Sequence, residues 1–122
     1  MELNMKTHKD LEVWKSSIVL AGDIYRTTEK YPKSETFGIV SQMIRAAVSI
    51  GANIAEGAAR QSRKEFMYFL SISQGSASEL DTLIEISKEV DITNIMNLAK
   101  LQEDISKISK MLSVLPRSLK QK

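Results

Sequence analysis

The sequence contains no cysteine, which excludes disulfide staples and thiolate chemistry and suits a reducing, cytoplasmic setting. Its single histidine, His8, lies ahead of the first helical pattern. A Ser-His-Asp arrangement would have to recruit it from that lead-in, and the paired Glu-x-x-His motifs of a di-metal bundle core are absent. No Gly-Lys-Ser/Thr follows Gly51 or Gly57 and no strand pattern precedes them, so there is no phosphate loop. Apolar runs stop after a few residues, and the first residues (Glu2, Lys6, His8, Lys9, Asp10) are charged and broken. Neither a membrane span nor a signal peptide is expected. These absences predict no catalytic residue, no cofactor and no metal site.

The charge balance, +2 at neutral pH, is too small to name a partner, but it is unevenly spread. Residues 79–91 carry Glu79, Asp81, Glu85, Glu89 and Asp91 against Lys88 alone, whereas Lys100, Lys107, Lys110, Arg117, Lys120 and Lys122 dominate from residue 98 onward. Such a separation can steer a polyanion or a second copy of the chain, and it is also what a solubilising surface requires.

At 122 residues the chain fits one domain, residues 1–122. Four segments repeat apolar residues at helical spacing and none alternates with period two. Leu11, Trp14, Ile18, Ala21 and Tyr25 predict a first helix over residues 10–30 with that stripe inward. After Pro32, Ser34 is a candidate cap for a second helix over 35–57, whose inward face is Val40, Met43, Ile44, Ala47, Ile50 and Ile54, with Gly57 as a left-handed stop. Ser62 and Glu65 form a capping-box pattern that opens a third helix over 63–90, with Phe66, Phe69, Leu70, Ala77 and Leu80 inward. Thr93 is placed to cap a fourth over 94–115, ended by Pro116, and its Leu98, Leu101, Ile105, Ile108, Leu112 and Leu115 make a heptad seam. The fold class expected is all-α, an antiparallel up-down-up-down four-helix bundle.

The second helix carries more than a core face. At 100° per residue, Gln42, Arg45, Ser49, Asn53, Glu56 and Arg60 fall within roughly 80° of one another. Small or apolar residues flank them: Ile39, Ala46, Val48, Ala52, Ala55 and Ala59. A polar ladder bordered by alanines suits a helix packed on several sides, so Gln42, Ser49, Asn53 and Glu56 are read as a copy-to-copy interface. Gly75, in mid-helix among Ser71, Ser73, Ser76 and Ser78, is expected to permit a close approach there. Beyond the stripe, Arg60, Arg63 and Lys64, with Arg45 further back, form a basic group at a helix N-terminus that suits phosphate.

The same residues carry a resemblance. Leu11-x-x-Trp14, Pro32-x-x-Glu35-x-Phe37, Gln42-x-x-Arg45-Ala46-Ala47-x-Ser49-Ile50, Asn53-Ile54-Ala55-Glu56-Gly57, Arg60, Phe66-x-x-Phe69-Leu70 and Gly75-Ser76-x-x-Glu79-Leu80 resemble the signature of the bacterial proteins encoded in intervening sequences of 23S ribosomal RNA genes, sometimes labelled ribosomal. The resemblance spans about residues 8–115. It implies a four-helix bundle in a ring-like homopentamer, a role in RNA or DNA binding, and no catalytic residues. Related bundles serve as accessory factors for reverse transcriptases, so a protein partner is a further expectation. Ile44 stands where a basic residue is expected, and Ala59 and Ser73 replace a common Gly and Ala.

Overall fold

Apolar residues at helical spacing fold here into four α-helices; the computed structural model describes residues 7–92 and 97–118, and no strand occurs among them. The helices are α1 (Glu12–Thr28), α2 (Ser41–Ala58), α3 (Arg63–Glu89) and α4 (Leu98–Ser118). In the lead-in the Thr7 hydroxyl accepts from the Lys9 amide (3.1 Å) while Asp10 accepts from the Thr7 amide (3.2 Å), closing a 3-10 turn over His8–Asp10. His8 then packs edge-on against Trp14, with ring centroids 5.0 Å apart.

The fourth helix keeps its expected face: all six seam residues are buried. It extends past the expected stop, with Pro116 inside its final turn. Thr93, the expected cap, lies outside the described residues. The third helix begins as expected, with Ser62 Oγ accepting the Glu65 amide at 3.1 Å.

The first helix is rotated from its expected setting. Val13, Ser17, Leu20 and Ile24 face the core; of the expected stripe Leu11 is buried and Trp14 and Ala21 are half-buried against it, whereas Ile18 and Tyr25 are about half exposed (47% and 50%). The true inner stripe lies about 110° around the helix from the expected one. Its polar members disguise it: Ser17 Oγ donates to the Trp14 carbonyl (2.6 Å) and Thr28 Oγ1 to that of Ile24 (2.8 Å). Hydroxyls satisfied by their own helix can be buried at small cost.

The second helix differs at both ends. Ser34 caps nothing: Pro32 leads into a 3-10 turn over Lys33–Glu35, then a π-helical turn over Thr36–Val40. There Gly38 takes a non-helical backbone (φ −106°, ψ −115°) and Phe37 is left 97% exposed. Gly57 is not a left-handed stop, since no glycine among the described residues has positive φ. It is a contact point instead: a Cβ there would lie 2.8 Å from Phe69 Cβ and 3.2 Å from the Phe66 carbonyl oxygen. Gly51 plays the same part against α1, 2.7 Å from Ser17 Oγ by the same construction.

The α2–α3 pair is the most extensive in the molecule. Gly57 meets Phe66 and Phe69, the Ser73 hydroxyl donates to the Ile50 carbonyl (2.8 Å), and Ser76 donates to Ser49 (2.8 Å). Arg63 meets the Pro116 carbonyl (3.0 Å), Gln74 that of Ser109 (2.9 Å), and Gln102 donates to Asp81 (3.2 Å) and Glu85 (2.7 Å), joining α3 to α4. Asn97 closes the set on Thr27 (3.1 Å). Lys33–Ala58 is long and apolar enough by composition to cross a membrane, with a mean hydropathy of 1.3 in its best window. Met43, Ala47, Ile50 and Ile54 nonetheless lie in the shared core, and Arg45 and Glu56 occupy its exposed side.

Candidate nucleic-acid and self-assembly surfaces

The polar stripe of α2 splits into two kinds of residue. Its middle is satisfied within the chain: Asn53 Nδ2 donates to the Ser49 carbonyl and to Ser49 Oγ, both at 2.9 Å, and Ser49 Oγ accepts from Ser76 at 2.8 Å. Ser49 and Asn53 are half-buried, so this ladder ties α2 to α3. Gln42, Arg45, Glu56 and Arg60 are exposed. Gly75 faces open space within one chain, because a Cβ there would meet nothing within 4 Å. The close approaches belong to Gly51 and Gly57, where neighbouring helices leave no room for a methyl group.

Between α1 and α2 lies a shallow apolar trough of about 260 Å³, floored by Gly51 and walled by Trp14, Ile18, Val48, Ala52 and Ala55. It is the stripe expected to be core on α1, laid over the alanine side of α2. Val48 and Ile18 are 46% and 47% exposed on its rims. A single chain therefore leaves part of its apolar patterning uncovered.

The basic group also separates by role. Arg60 pairs with Glu56 (Nη2 to Oε2, 2.6 Å) and its guanidinium sits 4.9 Å from the centre of the Phe69 ring. Arg63 is half-buried and donates to the Pro116 carbonyl, so it fastens the last turn of α4. Lys64 is exposed. Arg45 lies thirteen residues before Ala58, the last residue of α2, about 20 Å along the axis, and Arg60 follows in the connection to α3. The start of α3 is no open anion cradle, since Ser62 and the acidic Glu65 already occupy it.

Two aromatics complete this corner. Tyr68 is 62% exposed and meets Phe69 edge-on, with centroids 5.2 Å apart and planes at 82°. Phe69, expected in the core, is half-buried and faces Arg60 instead. The clue available in the sequence is Lys64 and Tyr68, one turn apart on α3, with Arg60 shortly before them in the connection from α2. Phe37 leaves no such clue, because its exposure depends on the π-helical turn.

Residues 9–114 match the family described as 23S rRNA-intervening sequence protein. The chain belongs to that family. A crystal structure of a protein of unknown function from the S23 ribosomal protein family of Bacteroides thetaiotaomicron has the same fold, with a TM-score of 0.79 at 25% identity over 87% of this chain and 96% of that one. No curated protein matches. Within this chain the signature therefore covers three jobs: core and close packing (Ile50, Gly57, Phe66), an internal ladder (Ser49, Asn53, Ser76), and exposed groups (Gln42, Arg45, Glu56, Arg60).

Proposed function

We propose that this protein is a non-catalytic, cytoplasmic nucleic-acid-binding accessory protein that works as a homo-oligomer. Each copy is an up-down-up-down bundle, a course supported by the way partners on α4 fall from Pro116 to Gln102 as those on α3 rise from Arg63 to Asp81. Five copies make the ring that the resemblance implies. The observation that carries the reading is a segregation of side chains. Small and apolar residues cover the outer α1–α2 side, while Arg60, Lys64 and Tyr68 gather where α2 gives way to α3. The first surface suits a second copy of the chain; the second suits phosphates, with copies in a ring adding their fields.

Fluorescence anisotropy of labelled RNA against salt tests this. The affinity should fall steeply as salt rises, and Arg60→Glu with Lys64→Glu should flatten the logarithmic slope by about 1.5, two phosphate contacts' worth. An unchanged slope would remove these residues from the interface. Arg63 is left out of the variant, because its loss would release the end of α4.

A second reading, a protein adaptor without direct nucleic-acid contact, is favoured by Phe37, almost wholly exposed. An exposed aromatic of this kind is a suitable anchor for a partner's pocket. It requires co-purification of a partner that survives nuclease treatment and is lost with Phe37→Ala.

A further inference from the structure

The corner at the start of α3 combines features that a purely electrostatic contact would not need. A cavity of about 530 Å³ opens between Arg60, Lys64, Tyr68 and Phe69. Tyr68 follows Lys64 by four residues on α3, so the two side chains are neighbours on one face. The Phe69 ring abuts Tyr68 edge-on at 5.2 Å and holds the Arg60 guanidinium 4.9 Å from its own centre. Tyr68 thus stands braced and exposed, with two cations beside it, one of them shared with Glu56.

We infer that this corner seats an unpaired nucleotide, its base stacked on Tyr68 and its phosphate held by Lys64 and Arg60, so that the protein prefers single-stranded RNA or DNA to a duplex. The inference rests on the nucleic-acid reading above and sharpens its ligand. The physical reason is accessibility of the base. Within a duplex both faces of each base are covered by its neighbours, and a braced aromatic ring has nothing to stack on. Phosphates alone would be served by lysines and arginines, whereas an aromatic among them adds a term that tolerates any base. Phe69 supplies the brace rather than the platform, because Arg60 already occupies its vicinity. Glu65 lines the same cavity and repels phosphate, which confines the backbone to the Arg60 and Lys64 side.

The test uses the full chain, a short single-stranded oligoribonucleotide with one 2-aminopurine, and the same strand annealed to its complement. The single strand should bind more tightly than the duplex, with 2-aminopurine fluorescence quenched on binding as the base stacks. Tyr68→Ala should weaken single-strand binding about tenfold, the size of one lost base–aromatic stack, while duplex binding and the salt slope stay put. Tyr68→Phe should retain both affinity and quenching. Equal loss on both forms, or no loss on the single strand, overturns the seat; so does a Tyr68→Ala protein whose assembly mass has changed, because Tyr68 would then lie between copies. If the Arg60→Glu, Lys64→Glu variant loses binding while Tyr68→Ala does not, the nucleic-acid reading survives and the seat is wrong. If neither strand form binds at low salt, both fall together.

Discussion

Two glycines of the same chain should respond to the same substitution with opposite signs. Gly57 and Gly75 both lie within helices, so alanine at either gains up to about 1 kcal/mol of helix propensity. At Gly57 the added methyl group would stand 2.8 Å from Phe69 Cβ, 2.9 Å from Phe66 Cδ1 and 3.2 Å from the Phe66 carbonyl oxygen. The Cβ and carbonyl are fixed to the α3 backbone, so relief requires the tightest helix pair to separate. Overpacking of that kind costs about 3 kcal/mol at its upper range, leaving Gly57→Ala destabilised by about 2 kcal/mol net. For a chain of this length that corresponds to a fall in Tm of about 8 °C. At Gly75 the methyl group meets nothing within 4 Å, so Gly75→Ala keeps its gain and Tm rises by about 4 °C. Thermal melts followed by circular dichroism, at dilutions where light scattering reports a single chain, measure both. A Gly57→Ala protein as stable as wild type would refute the close-approach reasoning. Repeating the Gly75→Ala melt at assembling concentrations adds a second reading: a neighbour seated over Gly75 would turn its gain into a loss.

Other substitutions separate the roles assigned to the stripe and the basic group. Asn53→Leu removes two bonds to Ser49 but leaves the Ser76–Ser49 link, so single-chain stability should shift by about 1 kcal/mol or less; light scattering should show altered assembly, and an unchanged mass would take Asn53 out of the interface. Arg63→Ala deletes the bond to the Pro116 carbonyl and should cost about 1–2 kcal/mol while speeding amide exchange in the last turn of α4; unchanged exchange there would deny Arg63 its fastening role. Burial pushes the Tyr31 phenol above its ordinary value, its hydroxyl having no hydrogen-bond partner among the described residues. The folded chain therefore holds the Tyr31 proton more tightly than the unfolded one, a stabilisation present below about pH 10 and lost as pH rises further. Denaturant titrations across that range should show stability falling more steeply in wild type than in Tyr31→Phe, and parallel curves would contradict the assignment.

The parts of the fold legible in the sequence are those where one apolar stripe has no rival. The α4 seam qualifies, since Lys100, Glu103, Asp104, Lys107 and Lys110 leave only one face to bury. On α1 two stripes compete, and the more apolar one lost because Ser17, Thr27 and Thr28 sit comfortably in the core with their hydroxyls bonded. Spacing alone carries no information about which stripe a neighbouring helix will cover. The ends of α2 were obscured for a different reason. Gly57 can serve as a stop or as a contact, and only the position of Phe66 and Phe69 decides.

The candidate surfaces were legible as residue types more than as arrangements. The stripe is a real feature of α2 from Gln42 to Glu56, with Arg60 just past the helix end, yet its centre bonds inward to α3 and its apolar border faces a trough shared with α1. Arg60, Arg63 and Lys64 do gather at one place, but one of them has a structural task that no spacing rule would assign. Phe69 joins the basic corner because its Cβ meets α2, at Gly57, while its ring stands beside Arg60.

Sedimentation of a labelled single-stranded RNA with the full chain at low salt reaches both halves of the proposal at once. The RNA should travel with a species of several times the 13.7 kDa chain mass, five if the ring forms, and should be released as salt is raised. RNA that sediments free of the protein, or protein that sediments at the mass of one chain with RNA or without it, would contradict the proposal of a self-assembling nucleic-acid-binding bundle.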